Sequence, residues 1–136
     1  MERSQHQIQA NGLNFTYLDT GGDGPLVLCL HGFPDTAHAW TDMMPRLHAA
    51  GYRAVAPLMR GYPPTEAPAD GAYSAKDLAK DVVGLLDALG AKTATLIGQD
   101  WGALAAYAAV ALAPERFEKL VTVAIPHPRT LSLNNP

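Results

Sequence analysis

Apolar and polar positions change their period several times along this chain. Residues 5–10 and 13–19 read as two short strands, and Asn11-Gly12 between them is a strong turn signal, so they predict an antiparallel hairpin. A GGDGP loop at 21–25 leads into PLVLCLHG at 25–32, a continuous apolar run suited to a strand buried on both faces of a parallel sheet. Residues 37–50 predict a helix that Pro45 kinks or divides, with Asp35 or Thr36 near its cap and Gly51 as its stop. A short strand follows at 52–57, then a turn-rich loop at 60–74.

Ser74 opens a helix in which Leu78, Val82, Leu85, Leu86 and Leu89 recur at helical spacing until Gly90. TATLIG at 93–98 predicts a strand, WGALAAYAAVALAP at 101–114 a helix and KLVTVAIP at 119–126 a last strand. Strand and helix alternating over short connections mean βαβ units, whose crossovers are right-handed in nearly all cases. The fold class is therefore α/β, a mostly parallel sheet with an N-terminal antiparallel hairpin, in one domain over residues 1–136. The strand at 25–30 is expected between those at 52–57 and 93–98, with 119–126 beyond 93–98. Helices 37–50 and 101–114 are expected on opposite faces of that sheet.

Composition narrows the partners. The balance of 48% hydrophobic against 17% charged residues is that of a soluble globular protein. A net charge of -3, with no basic block or stripe, speaks against nucleic acid. No apolar run approaches the roughly 20 residues that span a bilayer, and MERSQHQIQANG lacks a signal-peptide core. Cys29 is the only cysteine, which excludes an internal disulfide and fits a reducing compartment. A cytoplasmic protein without membrane, nucleic acid, cofactor or metal is expected.

The chemistry concentrates at LIGQDWGA, residues 96–103, where a strand ends and a helix begins. Asp100 reads as an ordinary N-cap, its carboxylate accepting from a first-turn amide, or as the tip of a tight strand-to-helix elbow. Capping explains an aspartate but not Gly98 and Gly102 on either side of it. An elbow explains all three, because it brings the backbone before and after the tip so close that both positions must be small. The helix N-terminus would also favour an ionised carboxylate there. A second motif agrees: His31-Gly32-Phe33-Pro34 directly follows the apolar strand, where this architecture puts a loop that helps to form an oxyanion hole.

From the first hairpin through HGFP, the loop MRGYPPT at 59–65, the elbow GQDWG and IPHP at 125–128, the chain resembles the α/β-hydrolase family. Within it the likeness is to the branch with an aspartate nucleophile, the epoxide hydrolases and haloalkane dehalogenases. The resemblance implies Asp100 as nucleophile and the backbone amides of Phe33 and Trp101 as the oxyanion hole. It further implies a cis peptide before Pro34, and a substrate site bordered by His31, Gly32, Pro34, Trp101 and His127. A carboxylate suits displacement at a saturated carbon that carries an epoxide oxygen or a halide, forming an alkyl ester on the enzyme. Phe33 has no side-chain donor for a halide, so a small apolar epoxide is favoured over a halogenated substrate, with a haloalkane or haloacid dehalogenase as the alternative.

In that family a cap, an acid and a histidine follow the nucleophile. His127 is the only histidine after Asp100, and it lies in a Pro-His-Pro turn. The chain is thus expected to be the N-terminal portion of an α/β-hydrolase fold, without a cap domain and inactive alone. A complementing C-terminal polypeptide would complete it, and the exposed edge of strand 119–126 favours self-association. The remaining alternative is a non-enzymatic binding module that keeps the motif.

Overall fold

The computed structural model describes residues 4–124. Its hairpin is β1 (Ser4–Ala10) and β2 (Leu13–Asp19), paired antiparallel so that Ala10 faces Leu13 across the Asn11-Gly12 turn. Both turn residues have positive φ, 46° and 78°, as a two-residue hairpin turn requires. Then come β3 (Leu26–Leu30), β4 (Arg53–Pro57), β5 (Ala94–Gln99) and β6 (Phe117–Val123). The strand order is β1-β2-β4-β3-β5-β6, with β4, β3, β5 and β6 mutually parallel. This is the order expected from handedness.

All five residues of β3 are buried, and their alternation divides the core. Leu26, Leu28 and Leu30 pack with Val82, Leu86, Ala105, Ala106 and Ala109 of α2 (Ala75–Ala88) and α3 (Trp101–Leu112). Val27 and Cys29 point the other way, to Ala37, Trp40 and Met44. The helical segments at 37–49 and α3 therefore lie on opposite faces. Small alanines on α3 let its backbone approach the sheet closely.

Pro45 divides the helix expected at 37–50. A 3-10 turn at Ala37–Trp40 is followed by α1 (Met44–Ala49), because Pro45 has no amide hydrogen to continue a ladder from Thr41. The helix expected at 101–114 stops at Leu112, since Pro114 bars Ala113 from helical geometry and leaves it at φ −145°, ψ 67°. Ser74 caps α2 as expected, in a full capping box with Asp77. Strand β6 starts at Phe117 instead of Lys119, and residues 125–126 of its expected span lie outside the described residues, as does His127.

Candidate active site

The sheet reverses its winding at β3: the chain runs from β3 to β4 on one side and returns to β5 on the other. Ligands of open α/β sheets bind at the carboxyl ends of strands beside such a point. The HGFP loop leaves the end of β3 and Asp100 leaves the end of β5, so this topology makes them neighbours.

Asp100 has φ 54° and ψ −119°, a conformation that costs a residue with a Cβ of order 1–3 kcal/mol. Its carboxylate makes no capping hydrogen bond to the helix. The strain is held by backbone bonds on either side, from the Asp100 amide to the Val123 carbonyl at 3.2 Å and from the Leu104 amide to the Asp100 carbonyl at 3.1 Å. The glycines explain themselves by what a side chain would strike. A Cβ on Gly98 would lie 2.5 Å from the carbonyl oxygen of Gly102, and one on Gly102 would run into the backbone of Leu30 and His31. Gly32 is equally constrained, since a Cβ there would come within 2.5 Å of the Asp100 Cβ. From the sequence Gly32 is expected in the HGFP loop beside the substrate site, but its close approach to the Asp100 Cβ is not.

The carboxylate turns instead toward the HGFP loop. The Phe33 amide donates to Asp100 Oδ2 at 3.2 Å, across a cis Phe33–Pro34 segment, while Gln99 Nε2 donates to Asp35 Oδ2 at 3.0 Å. Two adjacent residues of the elbow thus bind two nearby residues of the loop. Trp101, first in α3, has no intrahelical acceptor for its amide, and its ring is exposed beside the carboxylate's end of the sheet.

His31 lies beneath this surface, fully buried. Its Nδ1 faces the Gly32 carbonyl at 3.0 Å and its Nε2 accepts from the Met59 amide at 3.0 Å, so the network assigns a neutral, Nδ1-protonated ring. Burial pushes its pKa below the usual histidine value, against the Gly32 carbonyl and Asp35, which both favour the charged form. His31 therefore fastens the HGFP loop to the chain leaving β4 and carries no free nitrogen. Gly32 is buried with it, and Pro34 is exposed on the loop.

Above lies a cavity of about 450 Å³ lined by Phe33, Trp101, Met59, Tyr62, Tyr73 and Leu78, with Arg60 and Gly61. Tyr62 sets its ring edge-on to His31, with centroids 4.5 Å apart. Burial, and secondarily the Asp100 charge, raise its phenol pKa, which puts Tyr62 within electrostatic reach of the carboxylate. Reading motifs from the sequence missed this wall. Its signal was the turn-rich loop itself, entered directly from the carboxyl end of a central strand. Among the described residues no group of three or more His, Cys, Asp or Glu side chains is arranged to hold a metal ion.

A family model described as the alpha/beta hydrolase fold matches residues 25–135. This chain belongs to the α/β-hydrolase fold family. It is 42% identical over 123 residues to an epoxide hydrolase of Caballeronia sordidicola, covering 90% of this chain and 37% of that protein. It is 40% identical over 127 residues to an epoxide hydrolase of Siraitia grosvenorii, covering 92% of this chain and 40% of that one. The crystal structure of an epoxide hydrolase from Vigna radiata superposes with a TM-score of 0.88 at 36% identity, over 93% of this chain and 41% of that chain. Epoxide hydrolase A of Mycobacterium thermoresistibile gives the same TM-score and identity over 97% and 44%. The chain thus spans about two fifths of the length of these relatives. No helix among the described residues is long and apolar enough to cross a membrane.

Proposed function

We propose that these residues form the nucleophile half of an epoxide hydrolase acting in the cytoplasm, the N-terminal part of its catalytic domain. The observation that carries the reading is an Asp100 carboxylate held at a strained elbow, free of capping duty, against the Phe33 amide. The names of the relatives favour an epoxide over other electrophiles.

In this reading a carboxylate oxygen of Asp100 attacks an epoxide carbon. The carbon–oxygen bond of the ring breaks, and its oxygen takes a proton from an acid, leaving a hydroxyalkyl ester on Asp100. Water then attacks the ester carbonyl while a base takes its proton. The Phe33 and Trp101 amides stabilise the resulting oxyanion, a contribution of about 3–4 kcal/mol per donor in comparable sites. Collapse releases a diol and restores the carboxylate. The apolar cavity binds the substrate's hydrocarbon part next to Asp100. None of the four described histidines hydrogen-bonds Asp100, and His31 has both ring nitrogens engaged. The acid and the base are accordingly assigned to the portion by which the relatives exceed this chain, supplied by a continuing or complementing polypeptide.

The test is an assay of that completed protein on a neutral epoxide. Diol formation that Asp100→Asn abolishes is the expected result. Halide release from a haloalkane with epoxides untouched would move the assignment to a dehalogenase. Neither activity, with unchanged ligand binding in Asp100→Ala, would leave a binding module.

A further inference from the structure

The outer wall of the cavity is a loop, and one guanidinium ties it together. Arg60, just past β4, is 6% exposed at its side chain, as is its partner Asp81 on α2. Nε donates to Asp81 Oδ2 at 2.6 Å and Nη2 to Oδ1 at 2.8 Å, a two-bond fork. The remaining nitrogen, Nη1, donates to the carbonyl of Ala72 at 2.5 Å. Asp81 is itself braced by Asn11 Nδ2 at 2.9 Å. One side chain thus fixes the start of the loop, its end and the helix behind it.

Buried ion pairs are weak evidence for stability, because desolvation offsets much of the attraction and apolar replacements are often as stable. What an apolar pair could not do here is reach the Ala72 carbonyl. The residue after it is Tyr73, and its other neighbour is also tied: the Ser74 amide donates to Asp77 Oδ2 at 3.0 Å, and the Ser74 hydroxyl accepts from the Asp77 amide at 3.2 Å. Between these anchors the Tyr73 ring lies over Gly61. A Cβ at Gly61 would stand 2.5 Å from the Tyr73 hydroxyl oxygen and 2.9 Å from Cε1. Tyr73 is 48% exposed, so little packing other than this seating restrains its ring. Tyr73 also borders the cavity, with Tyr62 and Trp101.

We propose that Arg60 is a positioning residue: by holding Asp81 and the Ala72 carbonyl together it seats Tyr73 as the cavity wall, and ligand affinity beside Asp100 depends on Arg60 through Tyr73. The inference rests on reading this cavity as the substrate site and not on the reaction assigned to Asp100.

The experiment is a double-mutant cycle on the 136-residue chain, read as the dissociation constant of N-phenyl-1-naphthylamine, a neutral aromatic fluorophore. Arg60→Lys keeps a cation facing Asp81 but lacks the planar fork that reaches Ala72 as well. It is expected to weaken probe binding about tenfold, within the usual range for coupled neighbours. Tyr73→Ala should do the same, and the double variant should bind no more weakly than Tyr73→Ala alone. A purely structural ion pair would lower the unfolding midpoint and leave the affinity of the folded protein unchanged. That outcome, or losses that add independently, would overturn the positioning role. Where Arg60→Lys does not fold, the isosteric Asp81→Asn takes its place in the same cycle. Absence of saturable binding to the wild-type chain would overturn both the positioning role and the substrate-site reading, whereas wild-type affinity in Arg60→Lys overturns only the former.

Discussion

The Phe33 amide donates to the Asp100 carboxylate at 3.2 Å, joining residues 67 positions apart in the chain. Neither residue is placed there by its own element. Phe33 follows β3, Asp100 follows β5, and the parallel pairing of Leu30 with Gly98 brings the two strand ends side by side. The same donor that now faces a carboxylate would face the oxyanion when that carboxylate became an ester. Ground state and proposed transition state thus share one preorganised contact.

Strain at the elbow has a measurable consequence. At φ 54° and ψ −119°, Asp100 occupies a region that glycine visits freely. Asp100→Gly removes the hydrogen bond from the Phe33 amide, which can turn to water on an exposed loop. Relief of strain outweighs that loss, so the variant is expected to be more stable by about 1 kcal/mol in urea unfolding, while losing all proposed chemistry. An equal or lower stability would mean that the elbow is not strained.

The flanking glycines should behave in the opposite way. A methyl on Gly102 meets the backbone of Leu30 and His31, and one on Gly98 meets the backbone of Gly102 and Ala103. Backbone cannot swing aside as a long side chain can. Each Gly→Ala change is therefore expected to cost about 3 kcal/mol, the upper part of the usual overpacking range, in the same unfolding measurement.

His31 gives the pH dependence. Its folded pKa lies below the unfolded value, chiefly because burial disfavours the charged ring. A proton on Nε2 would also face the Met59 N–H that this nitrogen now accepts. The unfolded chain therefore binds the proton first, and this stabilising term is complete at neutral pH. It is lost as pH falls below about 6.5, the ordinary histidine value, and levels off once the folded pKa is passed. Thermal unfolding across pH 7.5 to 5 should show this decline, and His31→Gln should flatten it relative to wild type.

Much of this architecture was legible from spacing alone. The hairpin, the fully apolar β3 and the strand order followed from the turn at Asn11-Gly12, the two-sided burial of 26–30 and crossover handedness. Gly98-Gln99-Asp100-Trp101-Gly102 announced its elbow because two costly glycines surround one charged residue. Other features depend on contacts between distant segments, which no local period encodes. Gly32 is required by the Cβ of Asp100, and the fork between Arg60 and Asp81 joins a loop to a helix. Tyr62 and Tyr73 reach the cavity only because that loop folds back over the end of the sheet.

Turnover is expected to separate this chain from the completed protein. The described residues offer the proposed nucleophile and both proposed oxyanion donors, the Phe33 and Trp101 amides, but no histidine hydrogen-bonded to Asp100. The 136-residue chain is expected to convert a neutral epoxide at no more than the uncatalysed rate, measured by diol formation. Robust turnover by the chain alone would mean that a base within it has been overlooked, and His127, outside the described residues, would be tested first.

The most direct test of Asp100 as nucleophile is the mass of the trapped intermediate. The completed protein, with its water-activating histidine replaced, is incubated with a neutral epoxide, digested and examined by mass spectrometry. The expected result is a gain equal to the mass of one whole epoxide on the peptide containing Asp100, because ring opening adds every atom of the substrate. The gain should vanish in Asp100→Asn and on mild alkaline hydrolysis, which cleaves an ester. Diol formation with an unmodified Asp100 peptide, or a stable adduct on another residue, would contradict the account.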